Sequence, residues 1–265
     1  MCLILIAWRN HPEHTLVLAA NRDEFFDRPT QAARFWDDAP GILAGRDLQQ
    51  GGTWLGIDRR GRFATVANFR EPALRGTGSK SRGLLVSHYL QGTLPAAGYL
   101  AEVAGRIRHY DPFNLFAGDP DSLWYLSSRE TAPRELSPGL YGISNGDLDC
   151  PWPKVNRGKT ELQCLLDVAS PLPPRERGDV LADSLFALLA DRTVPDDTQL
   201  PDTGIGIERE RKLAPIFVNV GDYGTRSSTM MHMPGDGTVE FEERSYDRRG
   251  TVVNTATHVF TVEAR

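Results

Sequence analysis

The chain opens with two short apolar runs rich in β-forming residues, Leu3–Trp8 and Thr15–Ala20. Between them lies Arg9-Asn10-His11-Pro12-Glu13-His14, polar and broken by a proline. Runs of this length and composition read as buried strands, and the proline-bearing stretch between them reads as a turn. The chain therefore starts as an antiparallel hairpin. A hairpin returns the end of its second strand to the start of its first. Asn21-Arg22-Asp23-Glu24 follows the second run, so Asp23 is expected beside Cys2.

The same reading continues downstream. Thr53–Ile57 and Phe63–Asn68 flank the turn Asp58-Arg59-Arg60-Gly61 as a second hairpin, and Phe113–Ala117 with Ser122–Leu126 form a third. Gly139–Ser144 is another strand. Four stretches carry helical spacing: Leu84–Gln91, Ala96–His109, Asn156–Val168 and Arg175–Ala190. In the second, Leu100, Val103, Ala104 and Ile107 share a face; in the last, Leu181, Leu185, Leu188 and Leu189 do. Val194–Glu210 reads as a long loop. The chain ends in strands at Ile216–Val220, Ser227–Met233, Thr238–Ser245 and Val259–Glu263. Mostly antiparallel strands with grouped helices imply an α+β fold of two face-to-face sheets with helices outside, and one domain over residues 1–265.

Composition narrows the function. A net charge of −5 supplies no basic footprint for nucleic acid. Three widely spaced cysteines do not make a disulfide framework and point to a reducing compartment, hence a cytoplasmic location. The leading apolar run is too short for a signal-peptide core or a membrane span. No metal site is expected: the two histidines of His11-Pro12-Glu13-His14 sit in a turn, not on a helix. Gly76-Thr77-Gly78-Ser79-Lys80-Ser81 lacks the glycine that precedes the lysine of a phosphate loop, and no Gly-x-Ser-x-Gly elbow occurs. The expected partner is a small molecule.

The chemistry that remains centres on Cys2. Methionine is normally removed before a small residue, and removal of Met1 would leave Cys2 with a free α-amine. That amine titrates near pH ~8 and the thiol near ~8.5, so one residue can supply nucleophile and base. Taken alone, a cysteine near a terminus is more commonly a small buried hydrophobe. Asp23 could orient an α-ammonium, and Arg22 could lower a thiol pKa. Asn68 and Asn145, each at a strand end, are of the type that donates to an oxyanion, although either alone could simply cap a turn. In Gly224-Thr225-Arg226-Ser227-Ser228-Thr229, Arg226 sets a fixed positive charge among hydroxyls.

These residues, with Gly51-Gly52-Thr53-Trp54-Leu55-Gly56, Val66-Ala67-Asn68-Phe69-Arg70 and Ser144-Asn145-Gly146, resemble the NRDE family, also called the transport and Golgi organisation protein 2 family. The resemblance runs from residue 2 past residue 229. That family in turn resembles the N-terminal-nucleophile hydrolases of the penicillin V acylase and bile salt hydrolase kind. The resemblance implies a four-layer αββα sandwich and cleavage of a C–N amide bond of a small acylated substrate. It implies Cys2 as nucleophile, Asp23 as partner of its amine, Asn68 and Asn145 as oxyanion or amine contacts, and Arg226 as the late active-site arginine. Arg22, Glu24, Trp54 and Phe69 would line the substrate. The chain departs from those hydrolases at Ala20, where they carry arginine; here the arginine is Arg22. No cofactor is required under this reading. The family's association with haem and acyl-lipid trafficking implies the alternative of a binding protein that holds haem or an acylated ligand in the same cleft.

Overall fold

The opening hairpin forms, and it is longer than its apolar runs. β1 (Cys2–His11) pairs antiparallel with β2 (His14–Phe25), from Cys2 opposite Arg22 to His11 opposite His14. A computed structural model describes residues 2–263, omitting the side chains of Cys2, Pro174 and Arg175. Residues on both faces of the hairpin are buried: Leu3, Leu5, Val17 and Ala19 on one, Ile4, Ile6, Leu16 and Leu18 on the other. A strand buried on both faces needs apolar residues at every position, which is why the sequence shows runs and no alternation.

Backbone contacts divide the chain into two compact units, one of residues up to Asp27 with Pro138–Val259, the other of Arg28–Ser137 with the chain from Phe260. In the second unit, β3 (Thr30–Phe35), β4 (Ile42–Asp47), β5 (Leu55–Asp58), β6 (Phe63–Asn68), β7 (Phe113–Gly118), β8 (Leu123–Ser127) and β9 (Arg134–Glu135) run as an antiparallel meander in chain order. α1 (Gly83–Gln91) and α2 (Ala96–Ala104) cover it, burying Leu85, Tyr89, Leu100 and Val103 against Ala64, Val66, Leu115 and Leu126.

In the first unit the hairpin is central. The sheet order is β10 (Gly139–Ile143), β1, β2, β12 (Tyr223–Met233), β13 (Thr238–Tyr246), β14 (Val252–Thr261), with the short β11 (Asn219–Val220) also on β12. α3 (Pro153–Ala169) and α4 (Pro174–Leu189) pack on the odd-numbered face of the hairpin: Leu162, Leu166, Leu181, Leu185 and Leu189 bury Leu3, Leu5, Val17 and Ala19. A short α5 (Ile207–Leu213) follows, overlapping the end of the stretch Val194–Glu210 read as loop. Among the described residues no helix is long and apolar enough to cross a membrane.

The structure differs from the sequence reading in instructive places. β3 and β4 were not expected, and most of β3 is only half-buried and polar, so it carries no apolar run. Ile216–Val218 forms no ladder although it is buried. The Ile216 carbonyl instead accepts from Asn21 Nδ2 (2.9 Å), and the Val218 N–H donates to Thr225 Oγ1 (2.9 Å). Side chains there take the backbone groups that a ladder would use. β14 begins at Val252 rather than Val259 because its exposed Asn and Thr residues dilute the hydrophobic signal.

Two glycines of the quoted motifs are required by packing. A Cβ on Gly52 would lie 2.4 Å from the Gly83 carbonyl carbon, and one on Gly224 would lie 2.5 Å from the Val218 oxygen. Neither backbone neighbour can yield to a side chain. The loop at Gly76–Ser81 wraps an anion of its own: the Asp111 carboxylate accepts from the amides of Gly76 (3.1 Å) and Gly78 (2.8 Å).

Candidate active site at the open end of the first hairpin

The end of the hairpin away from its turn brings Asn21, Arg22 and Asp23 of β2 beside Thr225 and Ser228 of β12. The register sets Cys2 opposite Arg22, which makes Asp23 the next residue along β2. The Cys2 side chain and Met1 lie outside the described residues, so Cys2 is located by backbone alone. On the other side of β1, the pair Ile4–Ile143 lies two residues from Cys2 on one strand and two from Asn145 on the other. Asn145 is thus brought to the level of Cys2. It is buried, and its Oδ1 accepts from Ser144 Oγ at 3.4 Å.

Asn21, Arg22 and Asp23 are buried, not an exposed charged turn. Each does something different. Asn21 is a clamp: its Nδ2 donates to the carbonyls of Leu189 (2.8 Å) and Ile216 (2.9 Å), and its Oδ1 accepts from Ser228 Oγ (2.6 Å). It ties the end of α4 and the segment before β11 to the sheet. Arg22 approaches Glu24 at 3.8 Å. Asp23 Oδ1 accepts from Thr225 Oγ1 at 2.7 Å, and that hydroxyl accepts in turn from the Val218 N–H. Burial pushes the Asp23 carboxyl above the usual range, opposed by the Lys154 ammonium, the Thr225 bond and Arg22.

The stretch around Arg226 places these partners. β2 and β12 pair with Thr225 opposite Asp23 and Ser227 opposite Arg22. Arg226 is the extra residue of a β-bulge, which re-aims one side chain without breaking the flanking pairs. Its Nη1 donates to the carbonyls of Phe25 and Phe26, both at 2.9 Å, and so braces the end of β2. Burial, then the neighbouring Arg22, lowers its pKa from the ordinary guanidinium value.

Asn68, Phe69 and Trp54 belong to the second unit. Asn68 closes β6 opposite Phe113, half-buried. The Phe69 N–H donates to the Pro112 carbonyl, with the Arg129 guanidinium 5.7 Å from its ring centre. The Trp54 carbonyl accepts from the Val66 N–H and from Thr65 Oγ1.

Two participants were missing from the sequence reading. Thr225 stood there only as part of a motif; the signal for its role was its position before the bulged arginine. Lys154 is buried in the first turn of α3 and acts electrostatically on Asp23. The helix was expected to start at Asn156, which left this lysine outside it. Lys154 also lines a cavity of about 590 Å3 with Asn156, Arg157, Asp191, Thr193 and Ile216, where Arg157 Nε meets Asp191 Oδ2 at 3.0 Å. Among the described residues no cluster of three or more His, Cys, Asp or Glu side chains is placed to hold a metal ion.

A family model described as "Transport and Golgi organisation 2" matches residues 1–248. The chain is 36% identical to the transport and Golgi organization protein 2 homolog of Bos taurus and 37% identical to that of Homo sapiens, in both cases over 100% of each chain. Among solved structures, a mutant conjugated bile acid hydrolase from Clostridium perfringens is similar with a TM-score of 0.52 at 8% identity, covering 100% of this chain and 97% of that one. At that identity the likeness shows the fold. It is the α+β fold of the N-terminal-nucleophile hydrolases, with five α-helices and two antiparallel sheets among the described residues.

Proposed function

The chain belongs to the Transport and Golgi organisation 2 family, and on that premise we propose that it is an N-terminal cysteine hydrolase cleaving a C–N amide bond of a small acylated substrate. The observation that carries this reading is the hairpin register, which sets Cys2 opposite Arg22 with the buried Asp23 next to it.

In this reading, removal of Met1 frees the Cys2 amine. The amine takes the thiol proton, and the thiolate attacks the substrate carbonyl. The C–N bond breaks as the ammonium returns that proton to the leaving amine, giving a thioester on Cys2. Water then attacks the thioester, the acid departs and the thiol is restored. Asp23 positions the α-ammonium, and Thr225 and Lys154 favour the ionised carboxylate that this task needs. Arg22 lowers the thiol pKa. Asn145, level with Cys2, is the amide donor for the oxyanion. Arg226 supplies a second cation and holds the end of β2 in place.

Intact mass and N-terminal sequencing of the purified protein test the premise of the chemistry: a chain starting at Cys2 is expected. Turnover of a panel of N-acyl amines, with hydroxylamine trapping of the acyl group, tests the rest. Cys2→Ala is expected to abolish both turnover and trapped acyl group, and Asp23→Asn to lower turnover by two or more orders of magnitude. A fully retained Met1, or unchanged turnover in Cys2→Ala, overturns the reading.

A further inference from the structure

β14 stands at the border of the first unit's sheet, bonded on one side to β13. It is ten residues long, Val252-Val253-Asn254-Thr255-Ala256-Thr257-His258-Val259-Phe260-Thr261, with no Asp, Glu, Lys or Arg and no proline. Val252, Val253 and Val259 are 46%, 63% and 66% exposed. Border strands normally carry charge, a proline or a bulge that stops another strand from adding to them. β14 carries no Asp, Glu, Lys, Arg or proline over its length, whereas its neighbour β13 holds Glu240, Glu242, Glu243 and Arg244 within nine residues.

The sequence of this strand has a symmetry. On its more exposed face, Val253, Thr255, Thr257 and Val259 form a palindrome about Ala256, followed by Thr261 at the end of the strand. A two-fold axis normal to the sheet, midway between the two copies of Ala256, would pair this strand with its copy in antiparallel register. Each residue then meets the one equally far on the other side of Ala256: Val253 meets Val259, Thr255 meets Thr257, and Val252 meets Phe260. Paired residues of an antiparallel ladder share a face, and this register keeps odd opposite odd. β-Branched pairs of this kind are favourable cross-strand neighbours.

We infer that β14 is the interface of a homodimer, formed by antiparallel β14–β14 pairing centred on Ala256 and continuing the sheet across the two-fold axis. A second copy of this chain fits better than a foreign strand because the exposed β-branched pairs Val253–Val259 and Thr255–Thr257 complement themselves. A two-fold contact of this kind closes on itself and gives a dimer rather than a filament.

Sedimentation equilibrium and light scattering on the full-length protein are expected to give twice the chain mass. The double variant Val253→Lys/Val259→Lys places like charges opposite each other and is expected to give the single chain mass, with far-UV circular dichroism and thermal midpoint close to wild type, since both positions are exposed. A monomer at all concentrations, an undiminished dimer in the lysine variant, or open-ended association of the wild type would each overturn the assignment.

Discussion

Thr225 shows how much a single hydroxyl can organise. It is fully buried, donates to Asp23 and accepts from the Val218 N–H. Thr225→Val keeps the volume and removes both bonds, leaving a buried amide and a buried carboxylate short of one partner each. Groups so stranded destabilise by about 1–3 kcal/mol each. We therefore expect a loss of about 2 kcal/mol or more in denaturant unfolding, with Asp23 displaced further toward its neutral form. A loss under half a kcal/mol would mean that these bonds are replaced. The four residues Asn21 to Glu24 make the related point about legibility. Their polarity after an apolar run marks a special position in the sequence, but not the division of labour between them. Asn21 looks like a candidate for chemistry and is a clamp, because its partners, Leu189, Ile216 and Ser228, lie more than 160 residues away in sequence.

At the scale of elements, the turn of the first hairpin is tied to two other strands through histidines. His14 Nδ1 lies 2.8 Å from His232 Nε2, and His232 Nδ1 lies 2.9 Å from Glu240 Oε2. The carboxylate accepts, so His232 donates to it and accepts from His14. His14 Nε2 is left buried and without a hydrogen bond. Burial, then His232, Arg177 and His11, pushes the His14 pKa down from 6.5 to about 4. The folded state thus resists a proton that the unfolded chain accepts. Stability is intact above pH 6.5, falls as pH drops toward 4, and loses at most about 3 kcal/mol from this site. Thermal midpoints measured between pH 7.5 and pH 4 should decline less steeply in His14→Gln than in wild type, and parallel declines would exclude His14 as the cause. The second unit offers a steric counterpart where the loop before β5 meets α1. Gly52→Ala drives a methyl to 2.4 Å from backbone, so a loss of roughly 1–3 kcal/mol is expected in chemical denaturation, and a neutral result would show that α1 shifts freely. Elements built from apolar runs, such as β1, β2 and α4, are readable because burial requires those residues locally. β3 and β14 are not, because half-exposed strands have no such requirement, and β11 is cut short because Asn21 and Thr225 take the backbone groups before it.

At the scale of the whole molecule, a chain 8% identical to a bile acid hydrolase adopts its fold, which means that pattern and not residue identity carries the architecture. The positions of apolar runs, turns and helical stripes specify two antiparallel sheets and their helices, and glycines at Gly52 and Gly224 record close approaches that no side chain survives. By itself the sequence determined the α+β class, the opening hairpin and the neighbourhood of Cys2 and Asp23, since a hairpin's register follows from short-range geometry. Tertiary structure alone decided which long-range groups act on Asp23. Thr225 arrives from a strand 202 residues away, and Lys154 from the first turn of a helix whose start the sequence misplaced. It also decided that β14 lies at a border, where its palindrome has consequences. The reason is physical: local propensity and burial act on neighbours in the chain, whereas the charge state of a buried carboxylate and the exposure of a strand edge depend on groups that only folding brings together.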